Sequence, residues 1–206
     1  YVLDEHGALY DSRMTTLISF PTNYDGAYVI PDTVISIPEG VFRGSKITSI
    51  TIGSRITEIS EYMFAETKSL KEVVFRGRIT TIGAHAFENS AIESITIGRY
   101  VTTIDDYAFA GCTALKTLTF EANGGDSLQL GDYAFQGCTQ LASVQIPSRV
   151  RNLIVFPEYT SSSSSVYTGI GSYCFEGCTS LTSVTFEQAG GWLMTEGLSL
   201  GAYAFS

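Results

Sequence analysis

A solenoid, one small unit stacked about seven times, is the fold class that this 206-residue sequence predicts. Three observations predict it. Phe42, Phe64, Phe87, Phe109, Phe135, Phe175 and Phe205 recur at intervals of 22, 23, 22, 26, 40 and 30 residues. Ile or Leu stands five residues before each of them. Within eight residues after all but the last comes an Ile/Leu-x-x-Ile/Val/Leu-x-Ile/Phe block. A unit this short cannot bury its own apolar face, so neighbours must bury it for one another.

Residues 1–27 precede the period. Ala8-Leu9-Tyr10 and Thr16-Leu17-Ile18-Ser19-Phe20 flank the turn-like Asp11-Ser12-Arg13, and Pro21 ends the second run. This spacing predicts a β-hairpin that shields the first coil, whose strand is Tyr28–Ile30. A solenoid end needs such cover because its strand edges and core are otherwise exposed. The solenoid itself is placed at residues 28–206. The chain starts at Tyr1 and stops at Ser206, directly after a repeat Phe, so both ends are expected to be cuts in a longer protein.

The first element of each coil is a strand. Ile50-x-Ile52, Val73-x-Phe75, Ile95-x-Ile97, Leu118-x-Phe120, Val144-x-Ile146 and Val184-x-Phe186 place apolar residues two apart, the strand period. Thr51, Val74, Thr96, Thr119, Gln145 and Thr185 then point outward, and Ser49, Ser94, Thr117, Ser143 and Ser183 extend the polar stripe. Such a stripe lacks the Trp, Tyr and Arg typical of binding hot spots. The second element reads Ile-Gly-x-x-Ala-Phe, as in Ile82-Gly83 with Ala86-Phe87. Ser60 and Asp105 share the Gly column, and these residue types open helical turns by capping free N–H groups. A short helical or 3₁₀ turn is expected there, with Phe inserted in the core.

Two more columns follow. Tyr62, His85, Tyr107, Tyr133, Tyr173 and Tyr203 stand two residues before the Phe and form an aromatic ladder, either packed on itself or open to sugar rings. His85 belongs to that ladder, while His6 beside Asp4 and Glu5 reads as a solvated loop residue. Cys112, Cys138 and Cys178 share a column with Ser45, Thr67 and Ser90, which reads as a buried site where thiol and hydroxyl interchange. Stacking puts neighbouring Cys within disulfide range, yet side chains in register point the same way and disfavour a Cys112–Cys138 or Cys138–Cys178 bridge. Cys174-x-x-x-Cys178 has no His nearby, and no metal site is expected.

At this point the residues resemble a known family, the BspA-like leucine-rich repeat proteins. Leu115 to Phe120, Val101 to Ile104 and Asp106-Tyr107-Ala108-Phe109-Ala110-Gly111-Cys112 fit its unit, and the hairpin Gly7–Tyr10 through Leu17–Pro21 is similar to a segment found between its repeat blocks. The resemblance implies a right-handed leucine-rich repeat solenoid, β-rich, with parallel strands on one face and short turns opposite. It implies a secreted or cell-surface bacterial protein acting in adhesion or protein binding, with a host or neighbouring-cell protein or glycan as partner.

Chemistry is read as absent. There is no Gly-x-Ser-x-Gly, no phosphate-binding loop and no His-Glu-x-x-His; Gly169-Ile170-Gly171 lacks the third Gly of a nucleotide loop. The protein is expected not to be an enzyme, to need no cofactor and to have no catalytic residues. Acidic residues exceed basic ones, 21 against 12, for a net charge of −9, which excludes nucleic acid as a partner. No stretch approaches the ~20 apolar residues of a membrane span.

Binding is assigned to insertions. The intervals ending at Phe135, Phe175 and Phe205 exceed the shortest by 4, 18 and 8 residues. The extra residues, at Glu121–Ser127, Arg151–Thr168 and Glu187–Ser199, all follow the first strand of their coil, which gathers them on one rim. Phe156, Tyr159, Tyr167 and the single Trp192 are the candidate binding residues, and Ser161–Ser165 is a flexible run between them. Two other readings stand beside this one: a carbohydrate-binding module using the Tyr ladder, and a spacer for other domains of a longer chain.

Overall fold

The computed structural model describes residues 1–122, 126–150, 169–187 and 203–205. It is a β-solenoid with three faces. The first face carries β4 (Gly26–Val29), β5 (Ile47–Ile52), β7 (Glu72–Phe75), β9 (Ser94–Ile97), β11 (Thr117–Phe120), β13 (Ser143–Ile146) and β14 (Ser183–Phe186). The second carries β6 (Glu58–Ile59), β8 (Thr81–Ile82), β10 (Thr103–Ile104) and β12 (Gln129–Leu130), joined in that order into one parallel sheet. Leu130 then bridges in parallel to Ile170. The third face is built of turns.

The core follows from the columns. Ile50, Ile52, Ile59 and Phe64 of one coil lie over Ile95, Ile97, Ile104 and Phe109 two coils on, and all are buried. The seven repeat Phe rings run from Phe42 to Phe205 as one stack, with centroids 5.0–5.3 Å apart. That spacing is the distance between parallel strands, so the rings keep the register of the backbone that carries them.

At the start of the chain, β1 (Val2–Leu3), β2 (Leu9–Tyr10) and β3 (Leu17–Ser19) form an antiparallel sheet. Asp11 closes the turn between β2 and β3: its carboxylate accepts the N–H groups of Thr15 (2.6 Å) and Thr16 (2.9 Å). Phe20 then lies 4.6 Å from Phe42, which extends the aromatic stack onto the hairpin. Beneath it the buried hydroxyls of Tyr10 and Tyr28 are bonded to each other, and Tyr28 donates to Asp4 Oδ2 (2.7 Å).

The turn face differs from the expectation of a helical or 3₁₀ turn. No helix occurs among the described residues. Each coil instead makes tight turns, such as Ala86 N–H to Gly83 O (3.2 Å) and Ser90 N–H to Phe87 O (3.0 Å). Two positions recur with left-handed backbone in the described coils from Phe64 to Phe175, and the first of them again at Tyr203. One is the ladder column, with φ of 54–58° at Tyr62, His85, Tyr107, Tyr133, Tyr173 and Tyr203; the other is Glu66, Asn89, Gly111, Gly137 and Gly177. A left-handed residue between right-handed ones ends any helix. The strain is offset between coils: Phe64 N–H donates to Ala86 O, Phe87 to Ala108 O and Phe109 to Ala134 O, each at 2.7 Å.

The Gly column also has a different cause from capping. A Cβ on Gly171 would lie 2.4 Å from the Gly131 backbone, and one on Gly131 would lie 2.6 Å from Asp105 and Asp106. Adjacent coils approach too closely there for a side chain pointing along the stack. Neighbouring carboxylates tie the same corner, since Asp106 accepts from Asp132 N–H (2.7 Å) and Asp132 from Ser172 N–H (2.6 Å).

Candidate functional site

The first sheet face is not continuous. β4, β5 and β7 form one parallel sheet, β9 and β11 a second, β13 and β14 a third. Among the described residues no ladder joins β7 to β9 or β11 to β13. The breaks follow the last core residue of each strand. Strands ending in Ile52, Ile97 and Ile146 alternate with strands ending in Phe75, Phe120 and Phe186. The Ile side chains are at most 1% exposed, whereas Phe75 and Phe120 are only half buried and Phe186 is 47% exposed. A coil already filled by one Phe has no volume for a second, so this ring stays half out and wedges its strand from the next coil.

Hydrogen bonding repeats the alternation. Arg76, Glu121 and Glu187 follow the Phe-ended strands, and their N–H groups donate back to Ile52 O, Ile97 O and Ile146 O at 2.9–3.1 Å. Pro147 holds the matching position after β13 and has no N–H to give to Phe120. The coils remain tied on either side of each break. Glu93 N–H donates to Lys71 O (3.2 Å) before the β7–β9 gap, and Thr102 N–H donates to Thr80 O (2.8 Å) after it.

Each break opens a cleft on the outer face. The cleft between β11 and β13, about 270 Å³, is lined by Lys116, Thr117, Thr119, Gln145, Pro147 and Glu187. The cleft between β7 and β9, about 570 Å³, contains Val74, Arg76, Arg78, Arg99, Tyr100 and Glu121. Arg78 lies over the Tyr100 ring, 4.7 Å from its centroid. Arg99 donates through its N–H to Glu121 Oε2 (3.0 Å), and its Nε is 3.5 Å from the same oxygen. Arg76 is 4.0 Å from Asp32, and Arg78 has no carboxylate partner among the described residues. Three of the twelve basic residues of an acidic chain thus meet at one gap. Arg and Tyr, residue types that dominate binding energy, thus lie just beyond the ends of β7 and β9, beside a stripe whose own strand columns lack them.

The Tyr ladder is closed to ring stacking. Its six rings lie 4.6–5.3 Å apart and within 23° of parallel, so each face inside the stack is covered by a neighbouring ring. Arg43 covers Tyr62 from 5.1 Å. A sugar ring needs an aromatic face, and between Tyr62 and Tyr173 only ring edges and hydroxyls are left to it.

All four cysteines are free and buried. Cys112, Cys138 and Cys178 each reach back one coil, donating to Phe87 O (3.0 Å), Phe109 O (3.3 Å) and Phe135 O (3.2 Å). The thiol takes the second lone pair of a carbonyl whose first is bonded within its own turn. Burial pushes the Cys112 thiol up to about 12, and Cys174 rises for the same reason. His6, on an exposed loop, packs against Tyr24 at 5.1 Å and Tyr28 at 5.7 Å. Among the described residues no group of His, Cys, Asp or Glu could hold a metal ion. Among the described residues no helix is long and apolar enough to cross a membrane.

The first two insertions leave the stack at one corner, between the first and second faces. Phe120 and Leu128 flank the first, and Val150 and Gly169 flank the second. Where the first leaves, buried Arg149 fills the corner, donating to Val101 O and, at 3.1 Å, to Gly98 O, two coils back. Sequence reasoning did not single out Arg149. Phe156, Tyr159, Tyr167 and Trp192 lie outside the described residues.

Comparison with known proteins agrees with this geometry. The model of the BspA type leucine-rich repeat region matches six copies over residues 35–160 and 154–206. A leucine-rich repeat protein from Bacteroides ovatus superposes with a TM-score of 0.64 at 25% identity, over 84% of this chain and 41% of that one. The pneumococcal vaccine antigen PcpA gives 0.61 at 20% identity, over 91% and 50%. A leucine-rich repeat protein from Eubacterium ventriosum gives 0.52 at 17% identity, over 95% and 53%. The chain thus spans about half the length of these structures or less. No curated protein matches it.

Proposed function

Because this chain belongs to the BspA-type leucine-rich repeat family, we propose that it is a secreted or cell-surface recognition protein that attaches its cell to a host or neighbouring-cell protein. A repeat-based protein-interaction role is what the family match and the structural neighbours support. The observation that carries the reading is the outer strand face, a rigid polar surface interrupted by a cleft with three Arg and a Tyr. A surface held in register by a continuous core spares the backbone part of the ordering cost of binding, leaving that of the side chains. Phe156, Tyr159, Tyr167 and Trp192 in the insertions would add specificity at the rim of that face. A sugar-stacking role for the Tyr ladder is disfavoured by its covered ring faces.

The test is adherence of beads coated with this chain to epithelial cells and to neighbouring bacterial cells. Adherence is expected to be saturable, lost when the target cells are shaved with protease and retained after glycosidase treatment. The opposite pattern would make the partner a glycan, and no adherence to any target would favour a spacer. Joint replacement of Phe156, Tyr159 and Trp192 by Ala is expected to weaken adherence with little change in the thermal midpoint; undiminished adherence would remove those residues from the site.

A further inference from the structure

We propose that the gap between β7 and β9 is a docking slot for an extended acidic peptide segment of the partner. The inference rests on the protein-recognition reading above and names the chemistry that the slot selects. Three observations point to it. First, no ladder joins the two strands that bound the gap, so the edge of β7 facing it lacks the strand partner that the opposite edge has in β5. Second, the opening is local. Hydrogen bonds tie the two coils before Glu72 and after Ile79, so the slot has fixed ends and does not close by sliding. Third, its charge opposes that of the chain. Arg76, Arg78 and Arg99 outnumber Glu121, the one acid lining the cleft, while the chain as a whole is at −9. Only Arg99 holds a close ion pair, and Arg78 is set in place by Tyr100. Arg78 is therefore ready for a carboxylate, and Arg76, held only by the 4.0 Å pair with Asp32, can exchange that partner for another. Exposed Val74 supplies an apolar contact beside them.

An extended chain presents alternate side chains to one face, so carboxylates two residues apart would meet Arg76 and Arg78 while the backbone pairs with a strand edge. A sulfated glycan would satisfy the arginines but has no amides in strand register; the unpaired edges favour a peptide. The second cleft, between β11 and β13, sets Lys116 against Glu187 and lacks this bias.

The probe is a nine-residue peptide of alternating Val and Glu, titrated into ¹⁵N-labelled full chain and followed by amide chemical shifts. Alternating Val–Lys and Val–Gln peptides and a heparin oligosaccharide are run beside it. Saturable shifts are expected for the Glu peptide at the amides of residues 73–76 and 96–100. They should weaken with added salt and by about tenfold in affinity for the double variant Arg76→Ala, Arg78→Ala. Phe75→Ile, which removes the wedge and keeps the charges, is expected to abolish them. Unchanged melting of both variants would show that folding is intact. Equal binding of the Lys or Gln peptide, shifts centred elsewhere, no saturable shifts, or slot shifts with heparin alone would each overturn the proposal. If peptide binding fails while bead adherence stays protease-sensitive and survives the double Arg change, the slot falls and the recognition reading stands.

Discussion

Cys112, Cys138, Cys174 and Cys178 show how a residue's place in the stack decides its chemistry. A thiol reacts as thiolate, and burial holds Cys112 and Cys174 in the protonated form. The S–H of each column Cys also donates to a Phe carbonyl, which engages the thiol proton. In native protein at pH 8, Cys112 and Cys174 are therefore expected to resist iodoacetamide, with Cys178, its pKa lowered by the hydrogen bond with Cys138, the first to react, whereas denatured protein without reductant should take up four labels. Fewer than four would mean a disulfide and would contradict the free thiols. This column was legible in the sequence because Ser, Thr and Cys share size and a donor proton, and six coils repeat the same choice. Arg149 was not legible. A single charged residue gives no repeat to read, and its partners, Gly98 O and Val101 O, are backbone atoms two coils away.

At the scale of the element, the strands were legible and the turns were not. Alternation of apolar residues specifies a strand from side chains alone, and it located the first-face strands from β5 to β14. The turn face is specified by backbone conformation. Its sign was Gly44, Gly111, Gly137 and Gly177, two residues after the Phe, where left-handed φ of 66–69° is required. The helical reading rested on the Gly, Ser and Asp column before the Phe and left this second Gly column unused. The sheet breaks were missed for another reason: Ile and Phe were treated as equivalent apolar letters, and only their volumes differ. If Phe75 is the wedge, Phe75→Ile should let Gly98 N–H reach residue 75 and join β7 to β9. Amide exchange at Gly98 is then expected to slow at least about tenfold, corresponding to one added protected hydrogen bond of ~1.4 kcal/mol. Exchange unchanged from the parent chain would place the cause of the break elsewhere.

For the whole molecule, stability is close to a sum over coils and the interfaces between them, because contacts run mainly between neighbouring coils, with Arg149 reaching two coils back as an exception. The Phe stack makes this testable. Phe109 lies 5.0 Å from both Phe87 and Phe135 and is fully buried, while Phe205 stacks at 5.2 Å on Phe175 alone among the described residues and is half buried. Removing the central ring deletes two interfaces and leaves a cavity inside a close-packed core. Phe109→Ala is therefore expected to cost ~3–5 kcal/mol in urea unfolding, and Phe205→Ala clearly less. The site of damage matters as much as its size. A weakened centre divides the array, so the coils on the hairpin side, extended onto Phe20, should keep their amide protection after those beyond Phe109 have lost it. Equal losses for the two variants, or uniform loss of protection along the chain, would show that the solenoid melts as one indivisible unit. In that event the rigidity of the slot between β7 and β9 would be a property of the whole array. With independent neighbours, it depends on the coils of Phe64, Phe87 and those adjoining them, and a distant lesion would leave recognition intact.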